Sequence, residues 1–158
     1  MDLIRGLADT EQRAKVVTEN RFPTAAGLAS SASGFAALAH AATTALDIHL
    51  DKEQLSALAR QGSGSAARSV PGGIAVWNAG QKSDGSDSFA YSIADPGDWD
   101  LRVVVGVADP GPKAMGSTTA MELTRTTSPY YREWLNTVHS DLENAVQAVR
   151  QQRFSDLG

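Results

Sequence analysis

The chain has 158 residues, no cysteine, and a net charge of −4 from 14 basic and 18 acidic side chains. This length suits one domain or most of one, able to bury roughly 68–70% of its unfolded surface. A content of 42% hydrophobic and 20% charged residues excludes a disordered chain. No Lys/Arg block supports a nucleic-acid or membrane-surface role, and disulfides and thiolate metal sites are ruled out. No apolar run approaches the ~20 residues of a membrane span. The start, MDLIRGLADTEQR, is neither basic nor followed by an apolar stretch, so a signal peptide is not expected and a soluble cytoplasmic protein is.

In chain order, a short leading segment is compatible with a helix, and residues 14–18 (AKVVT) read as a strand. Pro23 interrupts, and Thr24 is an N-cap candidate for a helical run over 25–46. Gly27, Gly34 and several hydroxyls weaken that run as an isolated helix, but small residues there suit a close approach to the backbone. Asp51 and Gln54 predict a capping box opening a helix that runs to about Arg60. A third short helix is expected near Ser63, before Pro71, Gly72 and Gly73 break the chain. Residues 74–78, 88–94 and 101–108 read as strands, the first two joined by the turn-like QKSDGSDS. Ser128 and Pro129 open a long helix, with Pro at its first position. Tyr131, Leu135, Val138, Leu142, Ala145 and Val149 give that helix one apolar face. Strands on one side with helices over them predict a two-layer α+β fold.

Two segments carry chemistry. PTAAGLASSASG, from Pro23, joins a loop to a helix start, where unpaired N–H groups and a partial positive charge favour an anion. Gly27 allows close backbone approach, and Ser30, Ser31 and Ser33 add hydroxyl donors or a magnesium ligand. The same composition also describes a helix packed closely on a sheet, and the segment is not the GxxxxGK[ST] loop. In GSGSAARS, residues 62–69, Arg68 follows Ser63 and Ser65 and offers a planar fork of donors to phosphate oxygens. An exposed Arg in a surface ion pair is the other reading. His40, His49 and His139 have no convergent spacing and read as packing or surface residues, and the three Trp read as core and rim.

Pro23, Gly27, Leu28, Ser30, Ser31 and Ala32 fit the P-x-x-x-G-L-x-S-S-A segment of the GHMP small-molecule kinases. The longer NxFPTAAGLASSA, from Asn20, resembles the diphosphomevalonate decarboxylase branch more specifically. GSGSAARS followed by two glycines resembles that family's GSGSACRS, with Ala67 in the Cys position. KAMGSTTAM, residues 113–121, resembles its SSTxGM pattern: Ser117, Thr118 and Met121 match, while Gly116 replaces a Ser and Ala120 a Gly. A polar loop capping the next helix is the alternative there.

The resemblance implies a GHMP-kinase-like two-layer α/β sandwich (ribosomal protein S5 domain 2-like), incomplete at both ends. Residues 1–158 would form a single partial domain spanning the N-terminal ATP-binding domain and the start of the C-terminal one. It implies ATP and Mg²⁺, with phosphates held by Pro23, Ala25, Ala26, Gly27, Leu28, Ala29, Ser30 and Ser31, and Mg²⁺ touched by Ser30 and Ser31. It implies mevalonate 5-diphosphate held by Ser63, Gly64, Ser65, Arg68 and Ser117, with Arg68 orienting substrate and stabilising charge. The family phosphorylates the tertiary 3-hydroxyl of that substrate and then releases phosphate and carbon dioxide, giving isopentenyl diphosphate. Homodimers are common among its members.

The family's KYWGK-like start and its catalytic Asp, carried on a DAGPN-like segment, do not occur in this sequence. ADPGP at 108–112 is superficially similar but follows a predicted strand in the wrong place. A positioned general base contributes on the order of 10²–10⁴ in rate, so the chain alone is expected to be inactive, with apolar faces and sheet edges uncovered. Two other readings stay open: a decarboxylase or kinase of a differently phosphorylated mevalonate, and a non-catalytic nucleotide- or phosphate-binding remnant.

Overall fold

Asp51 opens helix α3 (Lys52–Arg60) with the expected capping box: its carboxylate accepts the Gln54 amide at 2.8 Å, and Gln54 Oε1 accepts the Asp51 amide at 3.0 Å. The computed structural model describes residues 1–22, 24, 28–106 and 114–157. Before α3 come α1 (Asp2–Leu7), which buries Ile4, and α2 (Ser30–Ala45). Helix α2 starts later than Thr24. Ala29 occupies the N-cap position with φ 52°, and no side chain caps the helix. The Thr24 hydroxyl instead accepts from the Asn20 amide at 2.9 Å. Residues 25–27 of the expected helix lie outside the described residues.

A 3₁₀ turn, Gly64–Ser69, follows α3 and packs against both α2 and α3. The core is made largely of alanines: Ala36 and Ala39 from α2, Ala59 from α3 and Ala66 from the turn, bordered by Leu55, Leu58 and Val70. Side chains this small let backbones come close, at about 0.8 kcal/mol per buried methyl or methylene group. Gly62 shows how close the approach is, since a β-carbon there would fall 2.1 Å from Cδ1 of Phe35.

Strands β1 (Ile74–Trp77) and β2 (Ala90–Ala94) pair antiparallel, with Val76 opposite Tyr91, Trp77 opposite Ala90, and an irregularity between Ile74 and Ala75. Gly73 enters β1 at φ +68°, where a β-carbon would lie 1.9 Å from the Ala94 carbonyl oxygen. In the β1–β2 connection the Asp87 carboxylate accepts the amides of Gln81 at 2.7 Å and Lys82 at 3.2 Å. These bonds, with the Gln81 amide foremost, hold the Asp87 carboxyl below its ordinary range. Arg60 ties the same connection to α3, donating to the carbonyls of Ser88 and Gly85 at 3.0 Å each.

The expected strands at 14–18 and 101–108 are not formed where they are described. Residues 11–20 and 101–106 are irregular, Val103 and Val104 are 86% and 95% exposed, and 107–108 lie outside the described residues. A strand needs a neighbour to satisfy its amides and carbonyls, and the described sheet consists of β1 and β2 alone.

Helix α4 (Ser117–Thr127) was not anticipated from its hydroxyl-rich sequence. Thr124, Thr126 and Thr127 donate back to the carbonyls of Ala120, Glu122 and Leu123, so their hydroxyls do not compete with the helix. The Ser128 amide closes the last turn of α4 on Thr124, and α5 (Tyr131–Arg150) starts two residues beyond Pro129 rather than at it. Ala148 and Val149 of α5 are buried, and the helix packs on β2. Leu135 and Leu142, on the predicted apolar face, remain exposed. Among the described residues no helix is long and apolar enough to cross a membrane.

Candidate functional site

The 3₁₀ turn and its N-cap carry Ser63, Gly64, Ser65 and Arg68, with Gly64 and Arg68 against the ring of Trp77. The Ser63 and Ser65 hydroxyls are 3.4 Å apart, and the Ala66 amide donates to the Ser63 carbonyl at 2.8 Å, closing the turn. Arg68 is exposed, with its guanidinium carbon 5.9 Å from the centroid of the Trp77 ring. Gly64 lies against the same indole, where a β-carbon would sit 3.2 Å from Trp77 Cη2. No carboxylate pairs with Arg68 among the described residues. An exposed cation on the same turn as two hydroxyls is suited to a phosphate or carboxylate.

Two buried bonds hold this turn. The Ser56 hydroxyl donates to the Ala67 carbonyl at 2.9 Å and accepts the Ala90 amide at 2.8 Å, joining α3, the turn and β2 through one oxygen. The Trp77 indole N–H donates to the Ser88 hydroxyl at 3.1 Å, and that hydroxyl donates to the Asn78 carbonyl at 3.2 Å. Ser56, Trp77 and Ser88 were not singled out from the sequence. Trp77 offered one signal, an aromatic ending a strand shortly after a Gly/Ser-rich basic segment.

The start of α2 is the second segment the sequence marks for an anion. Ser30 lies six residues, about 9 Å of helix axis, before Ala36, which meets Ala66 of the turn in the core. Helix α2 thus packs on the turn that carries Arg68. Leu28, Ser31 and Ser33 are exposed, Ser33 donates to the Ser30 carbonyl at 3.1 Å, and the first turn has no acidic side chain. That donor set and the positive end of the helix dipole suit an anion. Pro23, Ala25, Ala26 and Gly27 lie outside the described residues. No group of three or more His, Asp or Glu residues able to hold a metal is found among the described residues. Magnesium fits this set only in company with phosphate oxygens and water, its common mode of binding.

Among the described residues, no extensive packing contact joins Ser117 to this cluster. It opens α4, which makes no extensive packing contact with the other elements and is exposed except for half-buried Ala120.

Comparisons with known proteins bear on the family and the fold. The family model for the diphosphomevalonate decarboxylase-like N-terminal domain matches residues 1–90. The diphosphomevalonate decarboxylase of Gibberella zeae is 43% identical over 142 residues, 89% of this chain and 37% of that protein. The chain thus spans about a third of the length of such relatives. The crystal structure of mevalonate diphosphate decarboxylase from Staphylococcus aureus superposes with a TM-score of 0.82 at 37% identity, covering 99% of this chain and 47% of that one. A structure of MDDEF in complex with MVAPP, AMPPCP and magnesium superposes at 0.79 with 39% identity, covering 99% and 48%. These likenesses bear out the GHMP-kinase-like α+β architecture, and the chain covers 36% and 47% of two solved members. With more than half its length matched by the family model and its fold shared with solved members, the chain belongs to the diphosphomevalonate decarboxylase-like family.

Proposed function

We propose that this chain forms the phosphate- and substrate-binding core of an ATP-dependent mevalonate 5-diphosphate decarboxylase. On this reading residues 1–158 are one partial domain of a larger cytoplasmic protein. They span its N-terminal ATP-binding domain and the start of its C-terminal domain. The observation that carries the reading is the Ser63–Arg68 cluster, held against α2 and with Gly64 and Arg68 against Trp77.

In this proposal Pro23 and residues 25–31 hold the nucleotide phosphates, the Ser30 and Ser31 hydroxyls lie near magnesium, and Ser63, Gly64, Ser65 and Arg68 hold the diphosphate and carboxylate side of the substrate. Magnesium would screen charge between phosphate oxygens. The chain's own contribution is to hold the two ligands in fixed relative positions and to place the Arg68 cation where negative charge gathers, the two effects that dominate phosphoryl transfer. Ser117 enters this site only if α4 closes on it. The similar MDDEF structure, which holds MVAPP, AMPPCP and magnesium, supports this ligand set.

The 158-residue chain is expected to bind ligand without turnover, because the sequence offers no DAGPN-like carboxylate to take the 3-hydroxyl proton. Isothermal titration with Mg·ATP and with mevalonate 5-diphosphate tests it, beside an assay for isopentenyl diphosphate. Expected are saturable binding of both and no product, with ATP binding lost in Gly27→Val and substrate binding lost in Arg68→Ala. Failure to bind either ligand would overturn the proposal, and steady turnover would overturn the assignment of the chemistry to a residue outside this chain.

A further inference from the structure

We infer that Trp77 is a positioning residue for the anion site, holding the Arg68 guanidinium in place through the face of its indole. The inference rests on the proposed role of Arg68 as the cation that meets the substrate. The Arg68 guanidinium carbon lies 5.9 Å from the ring centroid, within the ~6 Å reach of a cation–π contact, and Trp is the strongest aromatic partner for one. Such a contact acts on the charge through the ring face and does not engage the whole fork of guanidinium N–H donors as a bidentate carboxylate does. Arg68 is thus restrained while its hydrogen-bonding fork stays available to an anion. A carboxylate partner would have occupied that fork, and the described residues place none there.

The ring is itself fixed, as a positioning role requires. Its N–H donates to the buried Ser88 hydroxyl at 3.1 Å, which donates onward to the Asn78 carbonyl at 3.2 Å. Arg60 holds the Ser88 carbonyl at 3.0 Å from α3, so the indole is tied to the same helix that carries Ser56. Gly64 adds to the geometry, because a β-carbon there would press on Trp77 Cη2 at 3.2 Å and push the ring by a few tenths of an ångström.

A double-mutant cycle tests the inference: Arg68→Ala, Trp77→Leu and the double variant, with Trp77→Phe and Ser88→Ala alongside. Binding of mevalonate 5-diphosphate and of inorganic pyrophosphate is measured by titration calorimetry, and folding of every variant by circular dichroism. With Arg68 present, Trp77→Leu is expected to weaken binding by about 2- to 30-fold, the range corresponding to cation–π contacts. In the Arg68→Ala background the same change should cost nothing further, and Trp77→Phe should recover most of the loss. Equal weakening of binding by Trp77→Leu in both backgrounds would overturn the inference while leaving the proposed ligands standing. If Trp77→Leu does not fold, Ser88→Ala replaces it in the cycle: a loss that depends on Arg68 supports the inference, and no loss or an independent one overturns it. A wild-type chain that binds neither probe overturns the proposed function as well. One that binds both with Arg68→Ala unchanged removes Arg68, and Trp77 with it, from the site.

Discussion

The Ser56 hydroxyl donates to the carbonyl of Ala67 at 2.9 Å, from the middle of α3 to the turn that carries Arg68. Its oxygen also accepts the Ala90 amide at 2.8 Å, so helix, turn and sheet meet at one fully buried atom. The proposed substrate segment is held by a polar clasp within a core of alanines, which offers little apolar surface of its own.

Replacing Ser56 with Ala should therefore cost more than its size suggests. Two buried backbone groups lose their partner, each worth about 1–3 kcal/mol when left unsatisfied. Urea denaturation of Ser56→Ala is expected to show a loss in at least that range, with Arg68-dependent ligand binding weakened alongside. A stability change within 0.5 kcal/mol would mean that the clasp is dispensable.

Gly73→Ala is expected to be destabilising on two independent grounds. A left-handed backbone costs a side-chain-bearing residue about 1–2 kcal/mol, and the new β-carbon would meet the Ala94 carbonyl oxygen at 1.9 Å. The clash is with backbone across the β1–β2 pair, so no rotamer relieves it. Gly62→Ala meets a side chain instead, the Phe35 ring, and Phe35→Ala should rescue it. Thermal melts of the two single variants and the rescue pair separate these cases.

The proposed anion site should discriminate between Arg and Lys at position 68. Lys keeps the charge but loses the planar fork and much of the interaction with the indole face. Arg68→Lys is expected to weaken mevalonate 5-diphosphate binding by roughly tenfold, the scale of one charged hydrogen bond. Calorimetric affinity indistinguishable from wild type would show that only net charge matters there.

Asp87 gives the β1–β2 connection an acid dependence. Its carboxyl is held below the ordinary range first by the Gln81 amide and then by that of Lys82, and Asp84 is lowered chiefly by the Ser86 amide. A depressed carboxyl contributes stability that is present above its unfolded pKa of about 4 and lost as pH falls through the lower folded value. The Gln81 and Lys82 amide resonances should hold steady from neutral pH to about 4 and move only below it. Asp87→Asn should abolish that transition.

The exposed apolar residues of α5 are expected to cause self-association. Trp134, Leu135 and Leu142 are 52%, 47% and 41% exposed, on a helix whose buried residues, Ala148 and Val149, lie near its C-terminus. Leu135→Lys with Leu142→Lys should change stability by less than about 1 kcal/mol, as for surface sites, and shift sedimentation toward monomer. Unchanged sedimentation would rule this face out as the cause.

What was legible in the order of residues was local. Asp51 and Gln54 announce their helix because both partners of the capping box lie within one turn, and the β1–β2 pair follows from two short apolar runs around an Asp/Gly/Ser-rich turn. The serine- and glycine-rich segments, and the family to which they belong, were readable for the same reason, since short motifs carry their own spacing. Contacts between distant residues were not readable. Residues 14–18 and 101–106 have strand-like composition, but composition does not supply a neighbouring strand. Helix α4 accommodates its threonines by turning their hydroxyls back onto its own carbonyls, a choice of rotamer that propensity does not encode. Arg68 could be chosen as a candidate from its segment, but its environment depended on Trp77 being folded over it and on Ser88 holding that ring. Those relations join a turn, a strand and a hairpin, and they exist only once burial of Ala36, Ala59 and Ala66 has brought the backbones together.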